Sequence, residues 1–152
     1  MDCNTNSISL REITPDNLDS ILSLRVAKGQ ESFVSSVSAS LATAYVYRET
    51  AFPYAVYAGD TPVGFIMFGF YKERNQYTLW KFMIDERFQN KGYGKAALLL
   101  GIEKMKADFG VKELYTGVLV GNDVAENLYK SVGFELTGLI ENGMKEMKLV
   151  CK

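Results

Sequence analysis

One contiguous stretch constrains the fold more than any other. A strand-like run, "QYTLWKFMID" (76–85), passes through "QNKGYG" (89–94) into "KAALLLGIEKMKADFG" (95–110). The first run is nearly continuous in apolar residues, as expected for a central strand covered on both faces. The last is rich in helix formers and closes at Gly110, with Lys104 and Lys106 near its C-terminal end. A buried strand that feeds a helix through a short glycine loop is a unit of an α/β sheet.

The flanking patterns extend this reading in both directions. "SISLREI" (7–13) alternates and predicts a first strand. Thr14 as N-cap and Pro15 at the first helical position predict a helix over residues 14–29, with Leu18, Ile21, Leu22 and Arg25 at helical spacing and Gly29 as its stop. The Ser/Ala-rich segment 31–50 reads as a second helix. From residue 54 the period shifts to two, and "YAVYAG" and "PVGFIMFGFYK" flank "GDTP" as a hairpin whose third strand is 76–85. "VKELYTGVLV" (111–120) reads as a strand. "NDVAENLYKSVGF" (122–134) reads as a short helix with Asn122 as N-cap and Gly133 as its stop. "FELTGLI" and "MKEMKLV" form a last hairpin across Asn142-Gly143. The order β-α-α-β-β-β-α-β-α-β-β predicts an α/β fold: a mixed central sheet of about seven strands with helices on both faces, in a single domain spanning residues 1–152.

Composition narrows the chemistry. A formal net charge of -1 offers no global basic field for nucleic acid or an anionic membrane. The chain has no histidine, which removes His-dependent triads and His-rich metal sites. Its two cysteines, Cys3 and Cys151, lie at opposite ends with no metal-ligand spacing, so no metal is expected. The N-terminus lacks the basic and apolar regions of a signal peptide, and no stretch approaches the roughly 18 apolar residues of a membrane span. The expectation is a cytoplasmic protein that binds neither nucleic acid nor membrane.

The glycine loop admits two readings. It is either a tight turn that packs helix against strand or a bed of backbone N–H groups for a phosphate. A helix N-terminus leaves about four N–H groups unpaired and carries roughly half a positive charge. Gly92 and Gly94 would let an anion approach, Asn90 tolerates left-handed angles, and Lys91 and Lys95 add mobile charge. No GxxxxGK[ST] is present, and no third glycine or acid follows in a dinucleotide pattern.

"FMIDERFQNKGYGKAALLL" resembles the acetyl-CoA-binding motif of the GNAT family of N-acetyltransferases, Q/R-x-x-G-x-G/A after a strand. "NDVAENLYKSVGF" resembles that family's second motif, N-x-x-A-x-x-L-Y-x-x-x-G-F, in the same order. The resemblance implies the acyl-CoA N-acyltransferase fold, with acetyl-CoA as acetyl donor. The pantetheine arm would enter between the central strand and the one after the first motif, where the two splay apart. The backbone of Met83 and Ile84 would pair with it, one of these N–H groups also holding the thioester oxygen. The N–H groups of Gln89, Asn90, Lys91, Gly92, Tyr93, Gly94 and Lys95 would take the diphosphate. Asn122 would touch the pantetheine, besides capping its helix. Tyr129 would be the catalytic general acid to the departing thiolate, a role open to a phenol protonated at neutral pH, although its spacing alone equally suits a core aromatic.

The first motif is most like those of bacterial diamine and polyamine (spermine/spermidine) acetyltransferases, which implies a small-molecule amine acceptor. Asn90 departs from the usual glycine. The usual acid a few positions before M-I-D is also missing, for Trp80-Lys81 stands there. Candidate bases are Glu31, Glu49 and Glu73, directly or through water. Carboxylates for a polycation are sought in Glu12, Asp16, Asp19 and Glu31, and aromatics in Phe33, Tyr45, Tyr54, Phe70, Tyr71 and Trp80. A protein or peptide amine acceptor, or a non-catalytic acyl-CoA-binding regulatory domain, stands as the alternative. Relatives of this kind often dimerise through their C-terminal strands, so a homodimer is expected.

Overall fold

The computed structural model describes residues 7–31 and 35–152. Seven strands form one sheet: β1 (Ile8–Arg11), β2 (Ala51–Ala58), β3 (Thr61–Tyr71), β4 (Gln76–Ile84), β5 (Glu113–Leu119), β6 (Glu135–Glu141) and β7 (Met144–Val150). Their spatial order is β1-β2-β3-β4-β5-β7-β6, antiparallel throughout except where β4 lies parallel to β5. The parallel pair is the join that needs a crossover, and α3 (Tyr93–Phe109) supplies it. A second crossover, α4 (Asp123–Ser131), connects β5 to β6.

Strand alternation sorts the core into two layers. On one face, Ile66, Phe68, Leu79 and Ile84 pack under Ala97, Leu98 and Met105 of α3 and Tyr129 of α4. On the other, Ala55, Phe65, Met67 and Met83 pack against α1 (Leu18–Leu22) and α2 (Val37–Val46) through Ile21, Leu24, Val37 and Ala44. With both faces of β3 and β4 covered, the continuous apolar runs have their explanation.

The first helix is much shorter than its pattern predicts. Asn17, not Thr14, stands at its N-cap, and α1 ends at Leu22. Arg25, placed at helical spacing, instead gives its backbone N–H to the Asp85 carboxylate at 2.9 Å, while its carbonyl accepts from Glu86 N at 2.7 Å. A partner 60 residues away thus claims the backbone that would have carried the helix onward. Among the described residues of 31–50, the α-helix is α2, opened by Ser36, whose hydroxyl accepts from Ala39 N at 3.1 Å. The last hairpin turns through Asn142 and Gly143, both at positive φ (53° and 76°), as a two-residue hairpin turn requires. Among the described residues, no helix is long and apolar enough to cross a membrane.

Candidate active site

The sheet opens at one place. β4 and β5 pair only through Tyr77–Leu114, Thr78–Tyr115 and Leu79–Thr116. The register between β3 and β4 slips at the same level: Leu79 faces Phe68 while Lys81 faces Met67, leaving Trp80 as an extra residue in a β-bulge. A bulge bends its strand, and here it turns the second half of β4 away from β5. Thr116 closes the last shared rung by donating its hydroxyl to Leu79 O at 3.1 Å. Beyond it, Phe82 to Ile84 and Gly117 to Leu119 face each other without pairing.

The orientation of the free backbone groups follows from the ladder. Asp85 N donates to Val63 O at 2.8 Å, so Asp85 belongs to a hydrogen-bonded pair with β3. In an antiparallel ladder such pairs alternate. Met83 therefore gives its N–H and C=O to Phe65, and Phe82 and Ile84 turn theirs to the gap. The expectation for Met83 is corrected on this point. Two consecutive residues cannot both offer their backbone to one edge, and the residue overlooked was Phe82.

The glycine loop lies at the mouth of the gap. The 3-10 turn Glu86–Phe88 is capped by Asp85, and Asn90 (φ 62°) and Gly92 (φ 83°) both take left-handed angles before α3 begins. Gln89 folds back, donating Nε2 to Ile84 O at 2.9 Å and to Gln30 Oε1 at 3.3 Å. Lys91 is exposed and Lys95 lies on the rim, but the Tyr93 ring is buried in the core, leaving only its backbone for a ligand. Asp85, only 1% exposed, anchors the loop by accepting from Arg25 N, Arg87 N and Arg87 Nε at 2.8–2.9 Å. Burial alone would raise this carboxyl, but those hydrogen bonds outweigh it and hold the group below its usual 3.8.

A cavity of 410 Å³ runs from this loop into the gap. Its walls include Ile84, Gly92, Gly94, Thr116, Asn122 and Tyr129. Asn122 caps α4, its Oδ1 accepting from Ala125 N at 3.3 Å, and still borders the cavity. Tyr129 is 8% exposed, and burial pushes its hydroxyl up to about 12 despite a hydrogen bond with Thr116.

A second, wider cavity of 920 Å³ opens from the far side between α2, the β3–β4 hairpin and the β6–β7 hairpin. The two cavities share Leu79, Trp80, Lys81, Thr116, Gly117 and Met144, so they meet at the splayed strands. Glu49, Glu73, Phe70, Tyr71 and Trp80 line this groove. Glu12, Asp16, Asp19, Tyr45 and Tyr54 border neither cavity, nor does Glu31, which holds Gly29 N at 2.8 Å. Glu141, Glu146 and Tyr47 take their place in the lining. Phe33 and Cys3 lie outside the described residues. Among the described residues no cluster of three potential metal ligands is present.

A sheet split beside a left-handed glycine loop is a place where a thioester's arm can be held by backbone alone. Residues 18–134 match the acetyltransferase (GNAT) family, and the chain belongs to that family as an acetyl-CoA-dependent N-acetyltransferase. Spermine/spermidine N(1)-acetyltransferase of Bacillus subtilis (strain 168) is 32% identical over 151 residues, covering 93% of this chain and 97% of its own length. The fold is shared with spermidine N-acetyltransferase from Vibrio cholerae in complex with CoA and spermine, at TM-score 0.73 and 18% identity over 95% of this chain and 96% of that one. It is shared too with PaiA N-acetyltransferase from Thermoplasma acidophilum in complex with coenzyme A, at TM-score 0.72 and 18% identity over 95% and 99%.

Proposed function

We propose that the protein transfers the acetyl group of acetyl-CoA to a primary amine of a polyamine or diamine, such as spermidine or spermine, and that residues 1–152 act as one domain in doing so. The observation that carries this reading is the junction of the two cavities at Trp80 and Thr116, beside a groove with carboxylates and aromatic rings. The similarity to a spermine/spermidine acetyltransferase along nearly the whole chain supports the same acceptor class.

In this reading the N–H groups of the loop from Gln89 to Lys95 take the diphosphate. The backbone of Phe82 and the N–H of Ile84, whose carbonyl is held by Gln89, pair with the pantetheine, and one of these N–H groups holds the thioester oxygen as it gains charge. Asn122 lines the arm's path. The neutral amine attacks the thioester carbon from the groove side, and the carbon–sulfur bond breaks toward Tyr129. A phenol near 12 keeps its proton throughout the working range. Complete transfer to a thiolate of ordinary pKa, about 8.5, would run some three orders of magnitude uphill. Tyr129 therefore helps by donating a hydrogen bond to the sulfur while charge develops there. The amine's proton leaves to water in the groove.

Thiol release from acetyl-CoA, measured over a panel from alkylamines through spermine to peptides, tests the acceptor class. Higher kcat/KM for longer polycations supports the reading. A flat profile or a preference for peptides removes it, and no thiol release with any amine favours a regulatory acyl-CoA-binding domain.

A further inference from the structure

Trp80 is the chain's single tryptophan, and its place in the groove is built with care. As the bulge residue of β4 it leaves the ladder, and its ring lies flat on the backbone of Gly69, where any Cβ would stand 2.1 Å from the indole. Two tyrosines flank it. Tyr47, at the end of α2, meets Trp80 at 6.1 Å between ring centroids and 75° between planes, and Tyr71, at the end of β3, at 5.4 Å and 53°. Such steep angles set three rings around a corner rather than in a stack. Tyr47 and Tyr71 remain 56% and 42% exposed, an unusual state for large aromatics that already touch a partner.

The charges around the corner point the same way. Glu49 and Glu73 line the groove, and neither has an ion pair among the described residues. Three of the four cationic side chains in the lining have partners of their own: Arg74 with Glu141, itself in the lining, at 3.9 Å, Lys81 with Ser35 Oγ at 2.9 Å, and Arg48 over the Tyr45 ring at 5.3 Å. Lys72 alone among them has no such partner in the described residues.

We propose that Tyr47, Tyr71 and Trp80 form a receptor for an ammonium group of the acceptor, the one that is not acetylated, with Glu49 and Glu73 supplying the counter-charge. A cation is attracted to the faces of aromatic rings within about 6 Å of their centroids, most strongly to tryptophan. The inference rests on the polyamine reading, because only an acceptor with a second cation can occupy both the corner and the strand gap. It assigns specificity to the corner: diamines and polyamines are held at both ends, and monoamines at one.

The lone tryptophan allows a test that does not depend on turnover. Spermidine and hexylamine are titrated against the full chain while Trp80 emission is followed, and kcat/KM is measured for both amines. Spermidine should change the emission saturably and hexylamine should not. Tyr47→Leu and Tyr71→Leu should each weaken spermidine binding and its kcat/KM by roughly tenfold while sparing hexylamine, and the Phe variants should stay within about twofold of wild type. Circular dichroism of each variant separates loss of binding from loss of fold, and the partly exposed tyrosines make unfolding an unneeded risk. If wild type acetylates spermidine but its emission does not respond, or the Leu variants bind it normally, the receptor is wrong and the acceptor reading stands. If the emission responds and Tyr71→Leu abolishes the response, yet spermidine is not acetylated, the receptor stands and the acceptor reading falls.

Discussion

Tyr129 combines features that a packed core aromatic would not need together. It contacts the Phe134 ring at 5.7 Å, yet its hydroxyl is turned to Thr116 at the last rung of the β4–β5 pair, bordering the cavity. Tyr129→Phe keeps the ring packing and removes only the donor. We expect kcat to fall by about 10- to 100-fold with little change in KM for acetyl-CoA, read by steady-state thiol release. The raised pKa also fixes a sign. The folded state holds the phenolic proton more tightly than the unfolded chain, whose tyrosines titrate near 10. Stability is thus intact below pH 10 and falls by about 1.4 kcal/mol per pH unit as pH rises from there toward 12. Urea denaturation should show a shallower alkaline slope in Tyr129→Phe than in wild type, the remainder coming from groups such as Tyr54 whose pKa is also raised. Asp85 has the opposite sign. Its depressed pKa contributes stability that is present above about pH 4 and lost on acidification below it. Asp85→Asn should cost about 2 kcal/mol at pH 7 and flatten the acid limb of the same measurement.

The element proposed to hold the donor's diphosphate is the turn from β4 to α3, and its geometry is demanding at Gly92. A side chain at φ 83° costs about 1–2 kcal/mol, with asparagine the best tolerated, as Asn90 at φ 62° in the same loop illustrates. Gly92→Ala should lower stability by that amount and raise KM for acetyl-CoA, while Gly92→Asn should cost about half as much. Chemical denaturation and initial-rate kinetics check both. Much of this element was legible beforehand, because glycines, a polar loop and a run of helix formers are local signals. So were the last hairpin, announced by Asn142-Gly143, and the cap and stop of α4 at Asn122 and Gly133. What stayed hidden was set by distant partners. The extent of α1 depended on Asp85 capturing Arg25 N, and the bulge at Trp80 depended on register against β3. That bulge also decided whether 82 and 84 or 81 and 83 would face the gap. The acids of the groove were sought near the N-terminus, whereas the hairpins bring in Glu141 and Glu146 from the far end of the chain.

At the scale of the molecule, the sheet is two sheets joined by three rungs, β1 to β4 on one side and β5, β7 and β6 on the other. A ligand that pairs with both lips of the opening should act as a splint. At a hundredfold excess over its Kd, CoA should add about 2.7 kcal/mol to unfolding. Amide exchange should show new protection at Phe82, Ile84 and 117–119, with little change in β1 or β2. Protection confined to the glycine loop would mean that the arm does not enter the gap. An unpaired strand edge ordinarily invites other chains to add themselves, and proteins cover or blunt it. Here the edge faces inward, onto the walls of the cavity between β4 and β5. Recognition of the donor by main-chain groups has a consequence for variation. On the proposed reading, exchanges among apolar types at 82 and 84 that keep the shape of the cavity wall should leave donor binding in place, while the one change it cannot absorb there is the loss of an N–H.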